Sequence, residues 1–224
     1  MREKIIYALG GLGGLLLVYN LNVILLQLQD DAQQGAIYRI MFFHIPAAMI
    51  AWAMFTAALV SSAAFLITKN FKFDSLAVAA TEIGVVFLTV NLVTGSIWAR
   101  IIWGIWWTWD ARLTSNFISW LLYIGYLILR PAIQEPTQRA TLAAVLSIFA
   151  FADLPIVYYS NQWWRTQHPA PVLTTGGLYG PWWPPLLTNL LVFLLIGTAL
   201  LLIRLRQENV QREMDSMRRY AHAI

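Results

Sequence analysis

The run Leu76-Ala-Val-Ala-Ala-Thr-Glu-Ile-Gly-Val-Val-Phe-Leu-Thr-Val-Asn-Leu-Val-Thr-Gly-Ser-Ile-Trp98 decides the fold class. Its one ionisable residue is Glu82, and at ~1.5 Å per helical residue it is long enough to cross the ~30 Å of hydrocarbon in a bilayer. On either side of it, comparable apolar runs lie at Ile5 to Leu28, Ile45 to Thr68, Thr114 to Leu129, Ala140 to Tyr159 and Leu186 to Ile203. The 224 residues are 59% hydrophobic and only 12% charged, too apolar for a soluble domain whose surface meets water. The pattern predicts an all-α integral membrane protein, a six-helix transmembrane bundle built as one membrane domain over residues 1–224. The first run outlasts a signal-peptide core and ends in Gln-Leu-Gln-Asp-Asp rather than at a small-residue cleavage site, so it is expected to stay as helix one.

An even number of spans puts both termini on one side. With the N-terminus inside, the inner segments hold Arg2, Lys4, Lys69, Lys72, Arg130, Arg139, Arg204, Arg206, Arg212, Arg218 and Arg219, and the outer segments only Arg39, Arg100, Arg112 and Arg165. This asymmetry predicts cytoplasmic termini, outer loops at about residues 29–44, 98–113 and 160–185, and a cytoplasmic helical tail over 204–224. The same asymmetry accounts for the net charge of +4, so the basic balance points to membrane topology and no nucleic acid. Cysteine is absent, which excludes disulfides, thiolate ligands and a Cys nucleophile. No Gly-rich phosphate loop, metal-spaced His cluster or nucleophile-base set is present, and the chain does not read as an enzyme.

The outer segments carry the unusual chemistry. Nine of the eleven tryptophans fall there: Trp98, Trp103, Trp106, Trp107 and Trp109 in one loop, and Trp163, Trp164, Trp182 and Trp183 in another. A lipid-facing aromatic belt accounts for any one of them. It does not account for indoles mixed with Asp110 and Arg112, which suit a flat π-ligand, with Gly104 letting the backbone turn. Of three histidines, His222 belongs to the tail, as a solvated residue. His44 stands before Pro46 at the outer end of helix two, with the proline in a first helical turn. His168 lies in the third outer loop. Each alone reads as an interfacial residue, but the pair beside the indoles suits two imidazoles gripping one haem iron. Arg39, Arg100, Arg112 and Arg165 are candidates for haem propionates, or equally for lipid phosphate or Asp30, Asp31 and Asp110. Asp110 is expected to orient its loop through an indole N–H, a backbone N–H or Arg112. Glu82 and Asp153 lie at membrane depth, where acids suggest a proton or ion path. The blander readings are snorkelling for Glu82, and for Asp153 satisfaction of backbone groups freed near Pro155.

The stretch Trp103-Gly-Ile-Trp106-Trp107-Thr-Trp109-Asp110-Ala-Arg112-Leu-Thr-Ser115 resembles the haem-handling family named for its WWD domain, on the branch that serves cytochrome c maturation. Gln33 to Ala48, Leu92 to Trp98 and Leu154 to His168 extend the resemblance over nearly the whole chain. It implies a multi-pass protein of a bacterial-type cytoplasmic (inner) membrane that holds non-covalent, b-type haem on the periplasmic side. The axial ligands map onto His44 and His168, and the loop Trp103 to Asp110 contributes to haem binding and to contact with a periplasmic haem chaperone, which the protein loads. ATP-binding-cassette (ABC) transporter subunits are the implied partners, since this chain has no nucleotide motif of its own. The chain departs from the family's Trp-Trp-Asn-Thr-Leu-His-Gln pattern at Arg165, Gln167 and Pro169.

The leading expectation is therefore haem binding and delivery, by positioning rather than acid-base catalysis. One rival is a structural or transport subunit whose tryptophans only anchor it in lipid. A one-chain cytochrome c synthase needs more spans and histidines than 224 residues supply. A dihaem electron carrier needs histidine pairs inside the helices, and none is mid-membrane.

Overall fold

The computed structural model describes residues 2–169 and 172–222. Helices α1 (Arg2–Asn22), α2 (Met41–Thr68), α3 (Phe71–Trp103), α4 (Ala111–Ala132), α5 (Pro136–Phe151), α6 (Asp153–Trp163), α7 (Val172–Thr175) and α8 (Trp183–His222) follow one another, with no strand among the described residues. A π turn, Val23–Gln27, extends α1, and a 3-10 turn, Ala36–Ile40, leads into α2. The expected His222 side chain lies outside the described residues.

Five segments are long and apolar enough to cross a membrane: Glu3–Gln27, Ala36–Thr68, Phe71–Trp103, Pro136–Trp163 and Gly180–Arg218. With this the chain is a multi-pass membrane protein. Helix α4, with 22 residues, has the length of a span but falls short in hydropathy. Ser115, Ser119, Tyr123, Tyr126 and Arg130 recur every three or four residues along α4 and are all buried, while Ile118, Leu121 and Ile128 face outward. That is an inside-out amphipathic helix, polar toward its neighbours and apolar toward its surroundings.

The apolar run at Ala140 to Tyr159 is not one helix. The chain breaks at Ala152, between α5 and α6, and Pro155 enters in the first turn of α6, where its missing N–H costs least. Asp153 does not serve freed backbone groups. Its Oδ2 accepts from the Ser119 hydroxyl of α4 at 2.5 Å. Glu82 is ion-paired with Arg204 of α8.

Pro46 also sits differently from expectation. Since α2 begins at Met41, the proline falls in the second turn and leaves the Phe42 carbonyl without its helical donor. Asn189 of α8 supplies one, Nδ2 to the Phe42 carbonyl at 2.7 Å, and Asn20 of α1 donates to Asn189 Oδ1 at 2.8 Å. Both asparagines are buried, so this relay ties α1, α2 and α8 together beside the turn that carries His44. At the opposite end, buried Asp74 of α3 accepts from Arg130 of α4 at 2.7 and 2.9 Å and pairs with Arg212 of α8. Between these ends, the Phe55 and Tyr123 rings stack at 3.7 Å in the core.

Candidate functional site

His44 lies in the second turn region of α2, against the C-terminal half of α3. Its Nδ1 is 3.1 Å from the Thr94 hydroxyl oxygen. The Thr94 hydroxyl is also 2.7 Å from the Val90 carbonyl and 3.0 Å from the Asn91 carbonyl, either of which can take its proton and leave the oxygen to accept from an Nδ1–H of His44. The Asn91 amide nitrogen approaches the same ring, 3.2 Å from Nε2, and donates to the His44 carbonyl at 3.1 Å. The Trp98 ring meets the imidazole edge to face at 6.0 Å, and its indole N–H donates to Gln34 at 2.9 Å. Gly95 completes the wall: a Cβ there would come within 2.9 Å of His44 Cε1, so only glycine lets the imidazole lie this close to α3.

His168 arrives from the segment after α6, and its ring stands 6.4 Å from that of His44, inclined by 31°. Its Nδ1 is 2.8 Å from the Pro169 carbonyl, an acceptor, which fixes the proton on Nδ1 and leaves Nε2 bare. Burial, then the Arg112 charge, pushes the imidazole down to about 4, so it is neutral at physiological pH. Asn161, at the end of α6, holds the segment by donating to the His168 carbonyl at 2.8 Å and the Pro169 carbonyl at 3.1 Å. Arg112 in turn donates to Asn161 Oδ1 at 2.7 Å.

Asp110 joins the two loops. One carboxylate oxygen caps α4, accepting from the Leu113 N–H at 2.9 Å, and the other accepts from the Gln167 N–H at 3.1 Å. Of the options open in the sequence, the backbone N–H is the one realised. The departures at Gln167 and Pro169 are harmless here, because the Gln167 main-chain N–H and the Pro169 carbonyl make these contacts.

The tryptophans divide by role. Trp98 and Trp103 belong to α3, so the loop proper runs from Gly104, whose φ of +77° ends the helix, to Asp110. Trp106 and Trp109 are 59% and 74% exposed, whereas Trp107 turns inward and its buried indole N–H has no partner. Trp107 and Trp109 both meet Phe117 edge to face, at 6.0 and 6.3 Å. Arg39 is spent elsewhere: it donates to the Ile24 and Leu28 carbonyls and pairs with Asp30. Arg100 donates to the Gly104 carbonyl, which pins the start of the loop. The residues not singled out in the sequence are Asn91, Thr94, Asn116 and Asn161, polar groups that each have a partner on another segment of the chain.

Comparison with known proteins bears directly on this arrangement. The family described as "Heme exporter protein C" matches residues 1–220. The chain belongs to this family. Among heme exporter protein C relatives, that of Bradyrhizobium diazoefficiens is 39% identical over 191 residues, 84% of this chain and 73% of the relative. That of Escherichia coli K12 is 39% identical over 178 residues, 79% of this chain and 72% of its own length. The Paracoccus denitrificans relative is 35% identical over 192 residues, covering 84% and 80%. The heme exporter protein C family is thus the setting in which His44, His168 and the tryptophan loop are to be read.

Proposed function

We propose that this protein binds haem at the outer face of the inner membrane and delivers it to a periplasmic haem chaperone during cytochrome c maturation. In this reading α4 is a sixth span and both termini are cytoplasmic, as the distribution of Lys and Arg favours. The observation that carries the reading is the convergence of His44 and His168 from segments far apart in sequence, with ring centres 6.4 Å apart. Two imidazoles on opposite faces of one metal, at about 2 Å per metal–nitrogen bond, stand with ring centres about 6 Å apart. In each ring Nδ1 has a partner, the Thr94 hydroxyl for His44 and the Pro169 carbonyl for His168, an arrangement that suits metal binding through Nε2. Among the described residues no group of three or more His, Asp or Glu could hold a metal ion. Two histidines are enough for haem, because the macrocycle supplies the other four nitrogens.

The surrounding groups suit such cargo. The exposed Trp106 and Trp109 offer faces to a flat ring or to a docking partner, and the unpartnered indole N–H of Trp107 is a donor beside them. Arg112 is the arginine closest to the histidine pair in the bonding network and the better candidate for a propionate, while three of the five N–H groups of Arg39 are engaged by Ile24, Leu28 and Asp30. ABC-transporter subunits would supply the ATP hydrolysis this chain lacks.

The test is an absorption spectrum of the purified protein, oxidised and dithionite-reduced, beside His44→Ala and His168→Ala. The expected result is a low-spin bis-imidazole haem that either substitution weakens or abolishes. A wild-type protein that takes up no added haem, or equal occupancy in both variants, sinks the assignment. It would return the tryptophans to a lipid-anchoring role and favour a structural or transport subunit that does not ligate haem.

A further inference from the structure

Four residues of α3, Asn91, Thr94, Gly95 and Trp98, follow the i, i+3, i+4, i+7 spacing of one helix face, and each meets the His44 imidazole. The Asn91 amide nitrogen is 3.3 Å from Nδ1 and 3.2 Å from Nε2. In the ring plane, a donor that close to both nitrogens would collide with Cε1 between them, so this amide sits over the ring face. It is anchored there by donating to the His44 carbonyl at 3.1 Å, while Asn91 Oδ1 accepts from the Asn116 amide of α4 at 3.0 Å. Thr94 meets the ring edge, 3.1 Å from Nδ1, and the Trp98 ring is inclined to the imidazole by 84°. Gly95 leaves no slack at the remaining corner, since a Cβ there would come within 2.9 Å of Cε1 and 3.5 Å of Nδ1. The imidazole is thus restrained over its face, at one edge and at Cε1, which leaves it one rotational setting.

We infer that Asn91 and Gly95 are positioning residues that fix the rotation of the His44 ring, so that haem iron meets two axial imidazoles whose planes are set closer to parallel than to crossed. The inference rests on the assignment of His44 and His168 in the proposed function. The two rings are inclined by 31°, and His168 is held on its own side by the Pro169 carbonyl and by Asn161. The angle between axial planes is read directly by ferric iron. Near-parallel planes separate the two iron d orbitals that overlap the imidazole π systems and give a rhombic low-spin EPR spectrum with three resolved g-values. Steeply crossed planes bring those orbitals together and give one broad line at low field. A ring seated in advance also spares haem binding the cost of ordering it.

The experiment records EPR spectra of ferric, haem-loaded wild type, Gly95→Ala, Asn91→Leu and Gly125→Ala. Gly125 of α4 has open space where a Cβ would stand, so it controls for exchanging glycine for alanine within a helix. Wild type and Gly125→Ala are expected to share one rhombic spectrum. Gly95→Ala displaces Cε1, turns the ring and should shift the g-values; Asn91→Leu frees the face and should broaden them into a distribution. A residue that only supported the fold would change occupancy or Tm and leave the g-values of the bound fraction alone. In the haem-free protein, the His44 Cε1–H proton resonance, displaced by the Trp98 ring current, should move in Gly95→Ala and not in Gly125→Ala. A crossed-plane spectrum in wild type overturns the inference. So do wild-type g-values in Gly95→Ala or, where that variant holds no haem, an unmoved Cε1–H resonance. In each of these cases loss of haem in His44→Ala leaves the proposed function standing. Failure of wild type to bind haem, or indifference to His44→Ala, overturns both.

Discussion

Asp110→Asn and Asp110→Ala separate the two jobs of the Asp110 carboxylate. Asparagine keeps an oxygen for the Leu113 N–H and so keeps the cap on α4, but it turns an N–H toward the Gln167 N–H, where Asp110 accepts at 3.1 Å. Alanine loses both. A helix N-cap is worth about 1 kcal/mol, and the link to Gln167, a hydrogen bond at the protein surface, about 1 kcal/mol more. Asp110→Ala should therefore lose about 2 kcal/mol and Asp110→Asn about half of that, at about 2–4 °C of Tm per kcal/mol. The Gln167 link also keeps the His168 segment beside α4, so cutting it makes haem binding bear the ordering of that segment. One kcal/mol in binding is a factor of about five, and both variants should show it. The assay is haem titration by absorbance beside thermal unfolding in the same detergent. Asp110→Asn binding haem like wild type, or Asp110→Ala leaving both affinity and Tm unchanged, refutes the argument.

Two further outcomes follow from particular contacts. His168 titrates near 4 instead of the ordinary value near 6.5, so protons compete with iron for it only as the pH falls through about 4. The unfolded imidazole takes up its proton earlier, so the haem-free chain loses stability as the pH drops across that window and stops losing it below. Acid titration followed by haem absorbance should have its midpoint near pH 4 or lower, and a midpoint near 6.5 would contradict the assignment. Asn189→Leu strands the Phe42 carbonyl and one N–H of the Asn20 amide, whose other N–H keeps the Pro185 carbonyl, a loss of about 2–4 kcal/mol that should appear as a lower Tm. Unchanged unfolding would mean that other groups satisfy both.

What the sequence reveals about this protein follows physical range. Membrane spans are local in sequence, so five of the six apolar runs were readable as spans. α4 was the weakest run for the reason the structure gives: its polar residues face neighbouring helices, and hydropathy cannot distinguish that from a poor span. The α5–α6 break was marked in the sequence only by Asp153 and Pro155, which do not show that the helix ends at Ala152. His44, His168 and Asp110 stood out because such residues are scarce in so apolar a chain. Asn91, Asn116 and Asn161 did not, since an asparagine means little until its partner is known, and the partner of Asn91 is 47 residues away. Glu82 and Asp153 were conspicuous for the opposite reason, yet Arg204 and Ser119, which answer them, lie 122 and 34 residues off.

The bond from Asn189 to the Phe42 carbonyl has a consequence for biosynthesis. The turn of α2 that presents His44 lacks one of its own hydrogen bonds because of Pro46, and the replacement comes from a residue 147 positions later. At about 5–20 residues per second, a ribosome takes on the order of ten seconds to reach it. Throughout that interval the nascent chain has its first histidine in the membrane but not the helix that steadies it. A chain truncated before α8 keeps both histidines and every tryptophan of the Trp103 to Asp110 loop, yet lacks the donor that completes the His44 turn.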